Sequence, residues 1–166
     1  NGKIAYQKDN TYKYLSKDGK PHPYHATDEE LQGEAYAVHD HEKKTLTFFR
    51  DEADKYTNNQ TIDGKTYYAN FELNPQSADF RYADDYNGLK FVEELIFKDS
   101  IRPEGEIDRW FYGYENMKRA DISKFDTSRV TSFNGAFYRA RNLTDIDITK
   151  LDFSNLDTRG TPLAYL

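Results

Sequence analysis

Three stretches in the C-terminal half share one spacing of apolar side chains, and that spacing limits the fold more than any other property of the chain. They are Val92-Glu93-Glu94-Leu95-Ile96-Phe97, Met117-Lys118-Arg119-Ala120-Asp121-Ile122 and Leu143-Thr144-Asp145-Ile146-Asp147-Ile148. Each reads apolar-x-x-apolar-x-apolar, and their first residues lie 25 and 26 positions apart. Alternation of this kind marks a strand with one buried face. A single short unit cannot cover its own apolar side, so such copies stack on one another, and roughly three are the usual minimum.

The second and third copies agree beyond the strand. Asp121-Ile122-Ser123-Lys124-Phe125-Asp126 lies over Asp147-Ile148-Thr149-Lys150-Leu151-Asp152, with Ser128 over Ser154, Val130 over Leu156 and Phe137 over Leu163. The end of the first copy, Phe111-Tyr112 with Asn116, lies over Phe137-Tyr138 with Asn142. The pattern predicts strands near 93–97, 118–122 and 144–148. Phe133, Ala136 and Phe137 share a face at i, i+3, i+4 spacing, which predicts a short helix over 131–140, kept short by Gly135.

The front of the chain is less regular. Ile4-Ala5-Tyr6 and Tyr12-Lys13-Tyr14-Leu15 read as short strands, and Lys17-Asp18-Gly19-Lys20 as a turn. Thr27-Asp28-Glu29-Glu30 has the form of a capping box opening a brief helix that Gly33 would end. Ala35 to Val38 and Thr45 to Phe49 form the clearest hairpin, around a polar turn from His39 to Lys44. Thr66 to Leu73 reads as a further strand, with irregular connections before and after it.

Mean hydropathy is −0.98, which alone would suggest disorder, but 14 Tyr, 11 Phe and a Trp oppose that. With 11 Leu, 8 Ile and 3 Val, the rings must supply much of the core. A net charge of −6 lacks the basic balance of a general nucleic-acid binder. The absence of cysteine excludes disulfides, thiolate metal sites and cysteine nucleophiles, and fits either a cytosolic or an exported bacterial protein. No stretch is apolar enough to span a bilayer, and no secretory leader is visible. The start at Asn1 suggests a processed or excised chain. The lack of capping signals over 152–166 suggests further repeats downstream, or else a C-terminal contact with another molecule.

The run from Asp121 to Tyr138, DISKFDTSRVTSFNGAFY, resembles the BspA-like leucine-rich-type repeat of bacterial surface proteins, and Trp110-Phe111-Tyr112-Gly113 is similar to the element that opens such arrays. The strand pair 35–38 and 45–49 also resembles one that precedes these arrays. The likeness covers 110–152 best, extends over 34–50 and 92–109, and is absent before about residue 30. Phe133 and Ala136 stand where the family has Met, Arg139-Ala140-Arg141 replaces a small Gly-Cys pair, and the third copy loses the motif after Asp157. The resemblance implies an exported or surface-anchored bacterial protein that binds other proteins. It carries no catalytic residues.

The whole chain then reads as an α+β protein, with a β-rich N-terminal region (1–90) capping a short leucine-rich-repeat-like solenoid of strand plus short helix. The solenoid would hold three copies over 91–166, the last incomplete. The expected role is a non-enzymatic, extracellular adhesion or protein-binding module of the bacterial cell surface. Its partner would be a protein or glycoprotein, host proteins included, with no nucleic acid, no cofactor, and membrane or wall attachment only through regions outside 1–166. The alternatives are a glycan-binding or glycan-active module using the aromatic-rich front, and a passive spacer.

The outward positions of the stacked strands are the candidate partner-binding face: Glu93, Glu94, Lys118, Arg119, Asp121, Asp145 and Asp147. In register, Glu93, Lys118 and Thr144 form one row, Glu94, Arg119 and Asp145 a second, and Ile96, Asp121 and Asp147 a third. Neighbouring strands lie ~4.8 Å apart. Arg119 would sit between two carboxylates, while Asp121 and Asp147 would oppose each other or share a cation. The same rows also fit a solvated charge ladder that only sets register. His39 and His41, with His22 and His25, suggest either a metal site or a hairpin turn. The acidic pairs Asp84-Asp85, Glu93-Glu94 and Glu104 with Glu106 form no natural acid–base pair, because adjacent strand residues face opposite ways. Tyr112, Tyr114 and Tyr138 read as half-core residues or as an exposed aromatic patch.

Overall fold

A computed structural model describes residues 3–6, 12–15, 21–52 and 54–165. The turn expected at 17–20 lies outside the described residues. The central element is a seven-stranded mixed sheet in the order β11-β9-β7-β4-β3-β6-β5. Its strands are β3 (Glu34–Asp40), β4 (Thr45–Asp51), β5 (Gln60–Ile62), β6 (Lys65–Ala69), β7 (Glu94–Phe97), β9 (Arg119–Asp121) and β11 (Asp145–Ile146). A separate antiparallel pair joins β1 (Lys3–Tyr6) to β2 (Tyr12–Leu15), and a small parallel pair joins β8 (Gly105–Glu106) to β10 (Val130–Ser132).

The alternating residues of β3 and β4 form the expected hairpin, with Ala37 opposite Phe48 and Val38 opposite Thr47. The first copy's strand docks beside it. β7 pairs in parallel with β4, setting Leu46 against Leu95 and Phe48 against Phe97. β9 then adds to β7, and β11 to β9, both in parallel. The copies stack at the positions their spacing predicts, but as a continuation of the front hairpin's sheet.

The α+β solenoid expectation is overturned. Among the described residues there is no α-helix, only three-residue 3-10 turns at Pro75–Ser77, Leu89–Phe91 and Ile148–Lys150, and no strand-plus-helix solenoid. Of the helix expected over 131–140, Thr131 and Ser132 belong to β10 and residues 134–139 form turns. Gly135 and Arg139 both have positive φ, at 65°, which breaks helical geometry. The backbone N–H groups of Phe133 and Gly135 donate to Pro162 and Ala164 in the next copy, so they are unavailable for i−4 bonds. At Thr27 the capping box does form: Thr27 N donates to Glu30 Oε1 at 3.0 Å, and Glu30 N to Thr27 Oγ1 at 3.3 Å. It closes a single turn and no helix.

One buried cluster lies between the inner face of the sheet and a layer of coil. Phe48 is its centre. Its ring stacks on Phe97 at 4.4 Å and meets Phe71 and Phe80 edge-on at 5.5 and 5.3 Å. Phe97 in turn stacks on Phe125 at 4.3 Å. Trp110 and Tyr114, fully buried, send their polar tips to backbone carbonyls, Trp110 Nε1 to Pro75 O at 2.9 Å and Tyr114 Oη to Phe80 O at 2.6 Å. The sequence demand for an aromatic core is met by rings from both the front and the copies.

The coil layer has its own ladder. Arg109 N donates to Asn134 O, Phe111 N to Ala136 O and Gly113 N to Tyr138 O, at 2.7–2.9 Å. Ala83 N reaches back to Tyr112 O at 2.8 Å. A third tie comes from the segment before β3, where His22 N and Tyr24 N donate to Thr149 O and Lys150 O, and Ala26 N to Asp126 Oδ2. Tyr24 Oη and His25 Nε2 meet Ser100 Oγ and Asp152 Oδ2, each at 2.6 Å.

The buried position of Ile122 beside exposed Asp121 sets a test of strand orientation. Ile122→Asp places an unpaired charge in the core and is expected to destabilise the chain by at least about 3 kcal/mol in urea unfolding. A loss under 1 kcal/mol would show that the faces are inverted.

Candidate partner-binding face

On the outer side of the sheet, register brings Thr45, Glu94, Arg119 and Asp145 into one row across four strands. Arg119 lies between Glu94 and Asp145, with Arg119 Nε 3.0 Å from Asp145 Oδ2. At the strand entrances, Lys118 Nζ stands 3.4 Å from Glu93 Oε1. The Lys118, Arg119 and Asp145 side chains are more than half exposed and that of Glu93 is 42% exposed, so the pairs add little stability and remain open to competition from a partner.

The third row is incomplete. Ile96 pairs with Asp121, but β11 ends at Ile146 and Asp147 turns away. Asp147 Oδ1 accepts from Thr149 N at 3.1 Å and from Thr149 Oγ1 at 2.5 Å, which caps the turn Ile148–Lys150. Asp121 makes the same motif with Ser123, at 3.1 and 2.6 Å. Each carboxylate is satisfied within its own copy, so repulsion between them is no organising feature. A shallow groove of about 160 Å3 opens where Arg119, Asp121, Asp145, Asp147, Ser123 and Lys150 meet. Ser123 and Lys150 were not among the expected site residues; they follow the second and third strands two and four residues after β9 and β11 end.

The structure brings the histidines together only in part. The rings of His39 and His41 lie 3.8 Å apart at the end of β3, and His25 lies elsewhere, against Asp152. Among the described residues no group of three or more potential ligands could hold a metal ion. His41 Nε2 meets Thr66 Oγ1 at 2.8 Å, while the buried His39 Nδ1 has no hydrogen-bond partner among the described residues. Burial and the adjacent His41 push the His39 pKa down to about 4, with Asp40 opposing.

The acidic pairs are absorbed into turns and ion pairs. Asp84 Oδ1 accepts from Tyr86 N and Asn87 N, Asp85 pairs with Lys90, Glu104 with Arg129, and Gln76 donates to Glu106. The tyrosines divide: Tyr114 is core, Tyr112 is half-buried, and Tyr138 is exposed. Tyr82 and Tyr165, which the sequence did not single out, continue the line of Tyr112 and Tyr138.

No family model matches this chain, and neither the curated proteins nor the solved structures contain a match to it. Among the described residues no helix is long and apolar enough to cross a membrane.

The state of His39 predicts an acid-sensitive end to the hairpin. An unfolded histidine titrates near 6.5, the folded one near 4, so in between the unfolded chain binds the extra proton. Stability should fall as pH drops from about 6.5 toward 4, by up to roughly 3 kcal/mol. His39→Phe should flatten that part of the profile in urea unfolding between pH 7 and pH 4.5. An unchanged slope would contradict this assignment.

Proposed function

We propose that this chain is a non-enzymatic binding module of a bacterial cell-surface protein, which engages a protein or glycoprotein outside the cell through the outer face of β7, β9 and β11. The observation that carries the reading is the charged row of half-buried Glu94 with exposed Arg119 and Asp145, beside the groove at Asp121, Asp147 and Lys150. Alternating charge on a rigid sheet supplies orientation and partner choice more than affinity. Backbone pairing fixes the strands, so the charges are held in place before binding. The resemblance of 110–152 to repeats of bacterial surface proteins supports the same reading and the extracellular location.

The test is surface plasmon resonance of the whole chain over purified matrix glycoproteins and mucins, with Arg119→Glu alongside. Arg119→Glu places three carboxylates in a row and should weaken binding at least tenfold, with little change in melting temperature. Binding that ignores Arg119→Glu would move the site off this face. No binding to any of the glycoproteins would favour a passive spacer.

A further inference from the structure

The coil layer on the far side of the core carries a second exposed surface. Tyr82, Tyr112, Tyr138 and Tyr165 form a row with successive ring centroids 5.5, 5.4 and 5.2 Å apart. The spacing follows from the backbone ladder, in which Ala83 donates to Tyr112, Gly113 to Tyr138 and Gly135 to Ala164. The row itself lines an open groove of about 550 Å3, together with Arg109, Asn134 and Gly135. The Arg109 guanidinium lies 5.8 Å from the Tyr82 ring centre, and that of Arg139 lies 5.9 and 5.8 Å from Tyr112 and Tyr138.

Two observations set this surface apart. The first is conformational. Arg109, Arg139 and Tyr165 all have positive φ, at 61°, 65° and 56°. Each copy demands that geometry at fixed places, and elsewhere glycine meets the demand. Gly135 stands 26 residues after Arg109, and Gly113 stands 26 before Arg139, with φ of 65° and 81°. Side chains at these positions are held against a backbone preference that glycine would satisfy freely. Such positions cluster at functional sites.

The second is charge. Arg50, Arg119, Arg129 and Arg159 are each paired with a carboxylate. Arg109 and Arg139, like Arg81, Arg102 and Arg141, have no carboxylate within ion-pair distance among the described residues; of these five, Arg81, Arg109 and Arg139 lie over rings of the row, and Arg81 is held by Gln76 Oε1 at 2.6 Å. Nor do the four phenol groups and the Asn134 side-chain amide have hydrogen-bond partners among the described residues.

We propose that the tyrosine row is a binding groove for a linear acidic polysaccharide, with Arg109 and Arg139 receiving its carboxylate or sulfate groups. Pyranose units present apolar C–H faces to rings and hydroxyls to the phenols and the Asn134 amide. One unit advances along a glycan by about one ring spacing of this row. Same-face side chains of an extended peptide recur at roughly 7 Å, which overshoots the 5.2–5.5 Å separation. This site does not depend on the sheet face that carries Arg119.

The experiment is calorimetric titration of the whole chain with defined oligosaccharides of hyaluronate, polygalacturonate, alginate and heparan sulfate. Neutral cello-oligosaccharide, polyglutamate and oligo-dT serve as comparisons. At least one acidic glycan should bind, more weakly as salt rises, at least tenfold more tightly than any comparison. Arg109→Gly and Arg139→Gly should each lose at least tenfold while leaving the melting temperature equal or higher, because glycine suits both backbones. Tyr138→Ala should lose binding too, and Arg119→Glu should not. Failure of all four acidic glycans at millimolar concentration would overturn the proposal. So would equal binding of polyglutamate or oligo-dT, or indifference to both glycine variants.

Discussion

The contact on which the rest depends is the stacking of Phe48 on Phe97, at the parallel pairing of β4 with β7. β9 and β11 are three and two residues long, too short to persist alone. They are stable because each lies on a neighbour already fixed, and the first neighbour is a seven-residue strand of the hairpin. The same ring reaches the coil layer through Trp110 and Phe111, 6.2 Å from each. Front and copies therefore share one core, and the outer surfaces inherit their geometry from it.

Much of the strand layout was legible because burial leaves a period in the sequence. Leu95, Ala120 and Ile146 stack as the 25- and 26-residue spacing requires. What was not legible is where the stack begins. Nothing in the pattern of β4 says that its free edge will accept Glu94–Phe97 in parallel, since that choice is made by ring packing distant in sequence. The helix expected at Phe133, Ala136 and Phe137 shows the opposite failure. Its spacing is real, but a turn with two positive-φ residues also puts those side chains on the core side.

The sites divide in the same way. The row Glu94, Arg119, Asp145 follows from register, and register follows from the repeat. Asp147 departs because a short polar side chain next to Thr149 N–H captures it, a local interaction that outweighs the ladder. The tyrosine row was half visible: Tyr112 and Tyr138 were marked by their offset. Tyr165 continues that offset by one further residue, and Tyr82 precedes the first copy without any repeat relation. The two surfaces lie on opposite sides of one core, a charged sheet face and an aromatic coil face. A change on one is therefore expected to leave the other intact.

Native-state hydrogen exchange of the whole chain tests the shared core most directly. If Phe48 joins hairpin and copies into one cooperative unit, slow amides of β3 and β4 and those of β7 and β9 will open with the same free energy, equal to that of global unfolding. Phe48→Ala will lower both sets together. Protection that survives in β7 and β9 after β3 and β4 have lost theirs would contradict the account and show two independently stable parts.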